Sequence, residues 1–270
     1  MITREPEYFP PPAGLLGRMG RWAMLSCRET GRATLLLLKA LVCLRHIFGR
    51  RARRETVMDM YAYGIRSLGV ITIVAVFTGM VLALNTGIAL RDFNQEANVG
   101  TAVMVSMLRE MGPFMTGLIL AACVGSAMAA QLGTMTVSEE VAALEIMSID
   151  PVRFLVMPRL AAMAVMTPLL SFYTCIMGVM GGGVVANLLL SVSWPNYMDN
   201  ALRFAKNKDL FVGMLKAVVF GILITTVACH EGFSASKGAV GVGLATRKAV
   251  IVSFLLILFF GLLITGLFYY

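Results

Sequence analysis

Long apolar segments separated by short polar links make up most of the chain. Five of them, at about residues 67–90, 97–133, 160–190, 210–229 and 249–268, contain few or no ionisable side chains. A helix needs about 20 apolar residues to cross a hydrocarbon core of about 30 Å. The pattern predicts an all-α integral membrane protein with about five transmembrane helices in residues 67–270. The strands of a barrel would instead show short-range alternation.

The third apolar segment is unusually long. Residues 160–198 contain no Asp, Glu, Lys or Arg, so they could form one long tilted helix or a tight hairpin. The sequence Trp194-Pro195-Asn196-Tyr197 is typical of a turn at the membrane interface. We therefore favour one crossing closed by an interfacial turn.

Residues 1–66 form a different, two-faced region. We expect an irregular arm at 1–14, followed from about Leu15 to Phe48 by a helical pattern in which arginines alternate with large apolar residues. Such a helix is too charged to span a membrane and too apolar for water. It is predicted to lie in the headgroup layer, followed by the basic cluster at 49–54. A solvated linker helix is the alternative.

Composition and charge agree with a membrane protein. The chain is 58% hydrophobic and 14% charged, whereas soluble domains carry about a quarter charged residues. Residues 1–66 hold twelve basic and five acidic side chains, which accounts for +7 of the net charge of +8. This asymmetry predicts a cytoplasmic N-terminus and, after five crossings, a C-terminus on the external side. Anionic headgroups explain the basic residues, so no nucleic-acid partner is expected.

One loop conflicts with this topology. Residues 199–208 would be external, yet they carry Arg203, Lys206 and Lys208. The positive-inside rule places such cations on the cytoplasmic side. The conflict leaves the number of crossings open at the sequence level.

The link between the second and third spans is helical and amphipathic. Residues 136–148 follow the capping-box pattern, with Thr136 and Glu139 at its two positions. An apolar stripe follows the helical period: Val137, Val141, Leu144 and Met147. Either the membrane surface or a partner protein must cover this stripe. The acidic side chains Glu139, Glu140 and Glu145 disfavour an anionic membrane, so we favour a protein partner.

A ridge of small residues runs along the second span at intervals of four. It consists of Gly117, Ala121, Gly125, Ala129 and Gly133. Small residues at this spacing allow two helix backbones to approach closely. The partner helix could belong to the same chain or to a second copy in a homodimer, and the pattern does not decide between them.

Few ionisable residues lie inside the predicted spans. Arg109 and Glu110 lie in span 2, shortly before Pro113, and Lys216 lies in span 4. Charges within a membrane are costly and usually functional, although each of these could also extend to the interface. Leu82 and Asn85 of span 1 are weaker candidates for a pocket lining.

Several kinds of chemistry are not indicated. His230 and Glu231 lie at the end of a span with no nucleophile or second histidine in the pattern, so we interpret them as an interface feature. The five cysteines are scattered and predict neither a disulfide framework nor a metal site. No catalytic residue is predicted.

Two long segments carry a family resemblance. The first is "LREMGPFMTGLILAACVGSAMAAQLGTMTVSEEVAALEIMSIDPVRFLVMPR" and the second is "DLFVGMLKAVVFGILITTVACHEGFSASKGAVGVGLATRKAVIVSF". They closely resemble the two signatures of MlaE-type permeases, the membrane subunits of Mce-associated ABC transporters of lipids. The resemblance covers about residues 95–270, and the basic amphipathic N-terminus is similar to the family's interfacial helix.

The resemblance implies a set of partners. Such permeases are homodimers in the bacterial inner membrane, each bound by a cytoplasmic ATPase subunit and capped externally by Mce-domain proteins, in some cases with a small STAS-type subunit. It implies a phospholipid pocket at Arg109 and Glu110, to which Leu82, Asn85 and Lys216 could contribute. The helix at 136–148 would dock on the ATPase through the following residues: Thr136, Ser138, Glu139, Glu140, Val141, Leu144, Glu145 and Met147.

The energy source is expected on another chain. The sequence contains no G-x-x-x-x-G-K-[ST] motif, so we expect ATP and Mg²⁺ to bind a partner ATPase and no cofactor to bind this chain. The sequence also departs from the family at Cys123, Gln131 and Gly261, where Arg, Glu and Asp are usual. Functions that depend on those charges in the family are therefore not inferred for this chain.

The predicted function is therefore a permease subunit that moves phospholipid or a related lipid between the inner membrane and a periplasmic Mce-domain partner. Two alternatives belong to other classes. An ion-gradient-driven transporter would show inverted repeats and more buried acids, and a scaffold would bind subunits without moving lipid.

Overall fold

Helices account for almost all of the structure. The computed structural model describes residues 15–43, 45, 49–93, 95–236 and 238–270, and no strand occurs within these ranges. The α-helices are α1 (Leu15–Cys43), α2 (Arg50–Tyr63), α3 (Leu68–Arg91), α4 (Val99–Ser106), α5 (Gly112–Leu120), α6 (Ser126–Val137), α7 (Glu140–Ile146), α8 (Met157–Leu189), α9 (Trp194–Arg203), α10 (Asn207–Phe233) and α11 (Gly238–Tyr269). The all-α prediction is confirmed. The expected arm at 1–14 lies outside the described residues.

Five helical segments are long and apolar enough to cross a membrane. Among the described residues these are Ala52–Arg91, Glu96–Val137, Val152–Leu189, Asn207–Phe233 and Gly238–Tyr269. The first and last present large apolar side chains on their outer surfaces: Ile73, Phe77, Val81 and Ile88 on α3, and Leu255, Leu258, Phe259 and Leu262 on α11. Such surfaces are suited to lipid tails. The chain is a multi-pass membrane protein.

The long third segment forms one continuous helix, not a hairpin. It continues through the glycines at 181–183 because these allow close contact with neighbours. A Cβ at Gly181 would lie 2.5 Å from the carbonyl oxygen of Val76, and one at Gly79 would lie 1.8 Å from that of Gly178. Neither helix could hold even an alanine there without separating. The close contact between α3 and α8 therefore requires glycine at these positions.

The segment expected to be an interfacial turn is helix α9. Pro195 lies in its first turn, where the missing N–H is tolerated. Tyr197 is fully buried and donates its hydroxyl to the carbonyl oxygen of Val179 over 3.0 Å. Burial raises the pKa of this hydroxyl, which keeps it a neutral donor. The helix folds back between spans 2 and 3, and the turn prediction is wrong in this respect.

The small-residue ridge is covered by helices of the same chain. Within the described residues, the nearest neighbours of Gly117 are Phe220 and Ile257, and Gly125 faces Ile224. Gly133 faces Ala235 and Val242, and Ala121 and Ala129 are completely buried. Of the two interpretations, the intramolecular one describes this ridge. A second copy would have to use another face of span 2.

The link between spans 2 and 3 differs from the predicted capped helix. Helix α6 extends to Val137, and the Thr136 hydroxyl donates to the carbonyl oxygen of Leu132 over 2.7 Å. Glu139 has a left-handed backbone (φ 61°) and precedes the short α7, which has no side-chain cap. The capping-box prediction is therefore wrong, and the helix covers 140–146 rather than 136–148. Span 2 therefore ends at Val137, later than the end at about residue 133 predicted from the sequence.

The N-terminal helix lies against this same end of the bundle. On one side of α1, Leu36 and Ala40 enter a buried cluster with Val141, Val152 and Phe233. Its other side exposes large apolar side chains, namely Met24, Leu35, Leu38 and Val42. An exposed apolar side favours the membrane-associated interpretation of α1 over a solvated linker.

Candidate functional site

Span 2 is interrupted where its charged residues lie. The turn Met107–Met111 is a π-helix, a feature that often marks functional sites in helices. Pro113 has no N–H with which to bond the carbonyl of Arg109 four residues earlier. That oxygen instead accepts a hydrogen bond from Lys216 Nζ over 2.9 Å. The proline thus creates an acceptor that a side chain from another span satisfies.

Lys216 is the centre of one half of the site. Its side chain is only 1% exposed, and its ammonium lies 2.6 Å from Glu110 Oε1. It also donates to Thr265 Oγ1 over 2.7 Å, and Thr265 donates to Glu110 over 2.5 Å. With the Arg109 carbonyl, these acceptors use all three donors of the ammonium. The arrangement joins span 2, α10 and α11.

Arg109 and Asp209 form the other half. The guanidinium donates to both carboxylate oxygens, over 2.7 Å from Nε and 3.3 Å from the terminal nitrogen. The Tyr269 hydroxyl donates to the same carboxylate over 2.6 Å, and the guanidinium lies 4.6 Å from the ring centre of Tyr269. Asp209 is buried, whereas Arg109 is partly exposed. Adjacent residues of span 2 therefore face different partners, as their angular separation on the helix requires.

These six side chains are called the polar cluster: Arg109, Glu110, Asp209, Lys216, Thr265 and Tyr269. The sequence singled out three of them and missed Asp209, Thr265 and Tyr269. Asp209 could have been noticed in the sequence, because it is an acidic residue at the beginning of an apolar span. Thr265 and Tyr269 lie in an apolar helix, and nothing in the sequence distinguishes them. Leu82 packs against a cluster that contains Met107. Asn85 is exposed, and within the described residues no hydrogen bond joins either residue to the polar cluster.

The polar cluster contains two ion pairs whose exposed parts could bind a charged group. Two cations and two carboxylates are paired, so their charges compensate one another within a membrane-spanning bundle. Arg109 and Glu110 keep part of their side-chain surface accessible. A zwitterionic or anionic headgroup could therefore contact both a guanidinium and a carboxylate at this position.

The opposite end of the bundle carries the predicted docking segment. Residues 138–150 are here called the loop segment. Its acids Glu139, Glu140, Glu145 and Asp150 are exposed, and so are the apolar side chains of Ile146 (84%) and Met147 (60%). Val141 is buried and Leu144 half-buried within the bundle. The predicted stripe is therefore divided, with one part packed internally and the other presented outward.

A second ionic cluster lies near the loop segment. His230 Nε2 is 3.3 Å from Glu29, and Lys248 Nζ is 2.8 Å from Glu231 and 3.6 Å from Glu29. The ligand atoms of Glu29, His230 and Glu231 lie within 4.8 Å of one another, a spacing that could hold a metal ion. The ammonium of Lys248 already compensates both carboxylates. These residues connect α1 to α10 and α11, in keeping with the interface interpretation.

Comparisons with known proteins agree on one family. The family model described as Permease MlaE matches residues 56–267. The intermembrane phospholipid transport system permease protein MlaE of Haemophilus influenzae is 31% identical over 255 residues, which cover 93% of this chain and 96% of that protein. A probable ABC transporter permease protein of Rickettsia prowazekii is 40% identical over 206 residues, 76% of this chain and 80% of the relative.

A plant relative extends the comparison. The chloroplastic protein TRIGALACTOSYLDIACYLGLYCEROL 1 of Arabidopsis thaliana is 30% identical over 220 residues, 80% of this chain and 62% of that protein. The family-model match at residues 56–267 includes the loop segment and every member of the polar cluster except Tyr269. With its five apolar helical segments and this extent of similarity, the chain belongs to the MlaE permease family.

Proposed function

We propose that the chain is the permease subunit of an ABC transporter that moves phospholipid between the inner membrane and a periplasmic Mce-domain partner. Its membership of the MlaE permease family is the observation that carries this proposal. ATP and Mg²⁺ would bind a separate cytoplasmic ATPase, and this chain would perform no chemistry of its own. A small STAS-type subunit could join the cytoplasmic side.

The proposed cargo fits the polar cluster. A phospholipid presents a phosphate anion and often an ammonium, and these are complementary to the partly exposed Arg109 and Glu110. The two acyl chains would lie against the apolar surfaces of neighbouring spans. The cytoplasmic N-terminus inferred from the charge asymmetry would place this cluster towards the external side.

The loop segment is the proposed contact with the ATPase. Exposed apolar side chains surrounded by carboxylates resemble the centre and rim of a protein interface. Ile146→Asp and Met147→Asp should therefore release the ATPase, while the permease remains folded because both side chains are exposed. Leu144→Asp is less informative, since Leu144 packs inside the bundle. Charge reversal at Glu139 and Glu140 should weaken binding by removing the rim charges.

The experiment combines binding and transport. The full chain, purified with its ATPase, is assayed for ATPase retention on size-exclusion chromatography and for ATP-dependent movement of labelled phospholipid between vesicles. Phe93→Asp is the matched control, because Phe93 is equally exposed in the turn after α3, at the other end of the bundle. Retention of the ATPase by Ile146→Asp would contradict the docking assignment. Lipid movement driven by a proton gradient without any ATPase would instead indicate a secondary transporter.

A homodimer is part of the proposal, with its seam on the accessible face of span 2. In the inner half of this span, apart from Val137 at its end, the exposed side chains are short or polar: Ala122, Cys123, Ala127, Gln131 and Thr134. Lipid-facing helices α3 and α11 expose large apolar side chains instead. Close packing against a second copy would explain the difference.

Cys123 provides a direct test of this seam. In a variant that retains only this cysteine, mild oxidation in membranes should link two copies through Cys123. A variant that retains only the exposed Cys27 is the control and should remain unlinked. A monomeric mass together with no Cys123 product would contradict the dimer.

A further inference from the structure

The corner between α9 and α10 carries a concentrated positive charge. Residues 202–211 are here called the basic corner. Its cations Arg203, Lys206 and Lys208 are all exposed. Its only acid, Asp209, is buried and bonded to Arg109 and Tyr269. The exposed charge of the corner is therefore +3.

None of these cations forms a salt bridge within the described residues. The ion pairs in those ranges, at a limit of 4.0 Å, include none of Arg203, Lys206 and Lys208. Lys208 instead places its ammonium 5.2 Å from the ring centre of Tyr269. Arg109 lies 4.6 Å from the same ring. The basic corner thus adjoins the polar cluster: Asp209 belongs to both, and the ring of Tyr269 contacts one cation of each.

The position of the corner determines the kind of ligand it can meet. Helix α10 is a membrane span that begins at Asn207, so the corner lies at a membrane–water boundary. The cations are interspersed with large exposed apolar side chains, namely Leu202, Phe204 and Phe211. Such side chains enter the acyl boundary while lysine and arginine remain at the depth of the phosphates. This mixture favours a lipid surface over an acidic protein.

We propose that the basic corner binds the phosphate of an anionic phospholipid headgroup and lies at the point where lipid enters or leaves the polar cluster. This inference rests on the proposed function, because it names the headgroup class that the same site would favour. A phosphate between Lys206 and Lys208 would adjoin Tyr269 and Arg109. The basic corner would then give the permease a preference for anionic over zwitterionic lipid.

Photocrosslinking at the corner tests this inference. Phe204 of the full chain is replaced by benzoylphenylalanine, and the protein is reconstituted in vesicles of phosphatidylglycerol and phosphatidylcholine in equal parts, each with its own isotopic label. A lysine near an anionic surface contributes about a fivefold preference. The ratio of the two lipids at Phe204 should favour phosphatidylglycerol in the parent. It should fall at least about fivefold in Lys206→Gln/Lys208→Gln.

Matched variants separate charge from folding. The control Arg53→Gln/Arg54→Gln removes two exposed positive charges at the beginning of the first span, Ala52–Arg91. It should leave the lipid ratio at Phe204 unchanged. Lys206→Arg/Lys208→Arg keeps the charge and should keep the preference. Equal crosslinking of both lipids in the parent, or an unchanged ratio in the glutamine variant, would overturn the inference.

Other occupants give distinct results. Competition by soluble glycerol phosphate at concentrations below those of the vesicle lipid would assign the site to a free phosphate, and crosslinking to a protein would assign it to a partner. Either result would overturn a lipid site. ATP-dependent lipid movement that persists without any headgroup preference would refute this inference alone. Loss of ATP dependence in the parent would refute the proposed function.

Discussion

The pair formed by Glu110 and Lys216 allows a quantitative test of the polar cluster. Glu110→Gln removes the only carboxylate that lies within ion-pair distance of Lys216 among the described residues. The ammonium would remain buried with neutral acceptors alone. Removing one partner of a buried pair costs about 3–5 kcal/mol. Because the Glu110 side chain is 40% exposed, we expect a smaller loss, roughly 2–3 kcal/mol.

The second variant is Lys216→Met, which removes the buried charge. It leaves Glu110 partly accessible and the carbonyl of Arg109 without its donor, since Pro113 cannot supply one. An unsatisfied buried carbonyl costs about 1–3 kcal/mol. In Glu110→Gln/Lys216→Met no charge is stranded, so the double variant should be more stable than the sum of the single losses predicts. The coupling should be at least about 1 kcal/mol.

The assay is thermal unfolding of the purified full chain in one detergent at one scan rate. For a chain of this size a loss of 2–3 kcal/mol corresponds to a midpoint lower by roughly 4–12 °C. Glu96→Gln is the control, because Glu96 has the same chemistry but pairs with the exposed Arg91 over 3.5 Å. Its loss should stay below about 1 kcal/mol. Equal midpoints for Glu110→Gln and Glu96→Gln, or strictly additive losses in the double variant, would refute the buried-pair reasoning.

Three further predictions concern packing, a buried hydrogen bond and an ion-pair cluster. Gly79→Ala should lower the unfolding midpoint strongly, since its Cβ would overlap a backbone carbonyl of α8, whereas Gly69→Ala in the same helix has open space and should be neutral or stabilising. Tyr197→Phe should cost about 1–2 kcal/mol, because the buried carbonyl of Val179 loses its donor. Glu29→Gln should cost less than about 1 kcal/mol in midpoint measurements, since Glu29 and Lys248 are partly exposed. It should nevertheless increase proteolysis of α1, because the ion pairs that connect α1 to α10 and α11 are lost.

The spans could be predicted because each is a long apolar run whose length the membrane sets. Local patterns were less reliable where tertiary contacts determine the backbone. Thr136 matched a capping box, yet α6 continues past it because the buried Leu132 and Gly133 lie against the end of α10, Ala235 and Val242. Likewise, the turn expected at Trp194 is a helix because Tyr197 has a buried acceptor on α8.

The polar cluster shows a different limit. Arg109 and Glu110 could be identified because charges are conspicuous in an apolar segment. Their partners lie 100 to 155 residues away along the chain, and no local period relates them. The sequence indicated that these charges are costly inside a span, but only the packing of α10 and α11 against span 2 shows which residues compensate them.

Helix α10 connects the two surfaces on which the proposed function depends. Near its beginning it carries Asp209 and Lys216 of the polar cluster. Near its end, Cys229 and Phe233 share a buried cluster with Val141 of the loop segment. The helix is continuous over its 27 residues, a length of roughly 40 Å, with no π-turn to absorb a displacement. Span 2, by contrast, contains two such turns between the same two ends. For the proposed transporter, we infer that a push on the loop segment is transmitted to the polar cluster along α10, and that span 2 changes its winding at its π-turns.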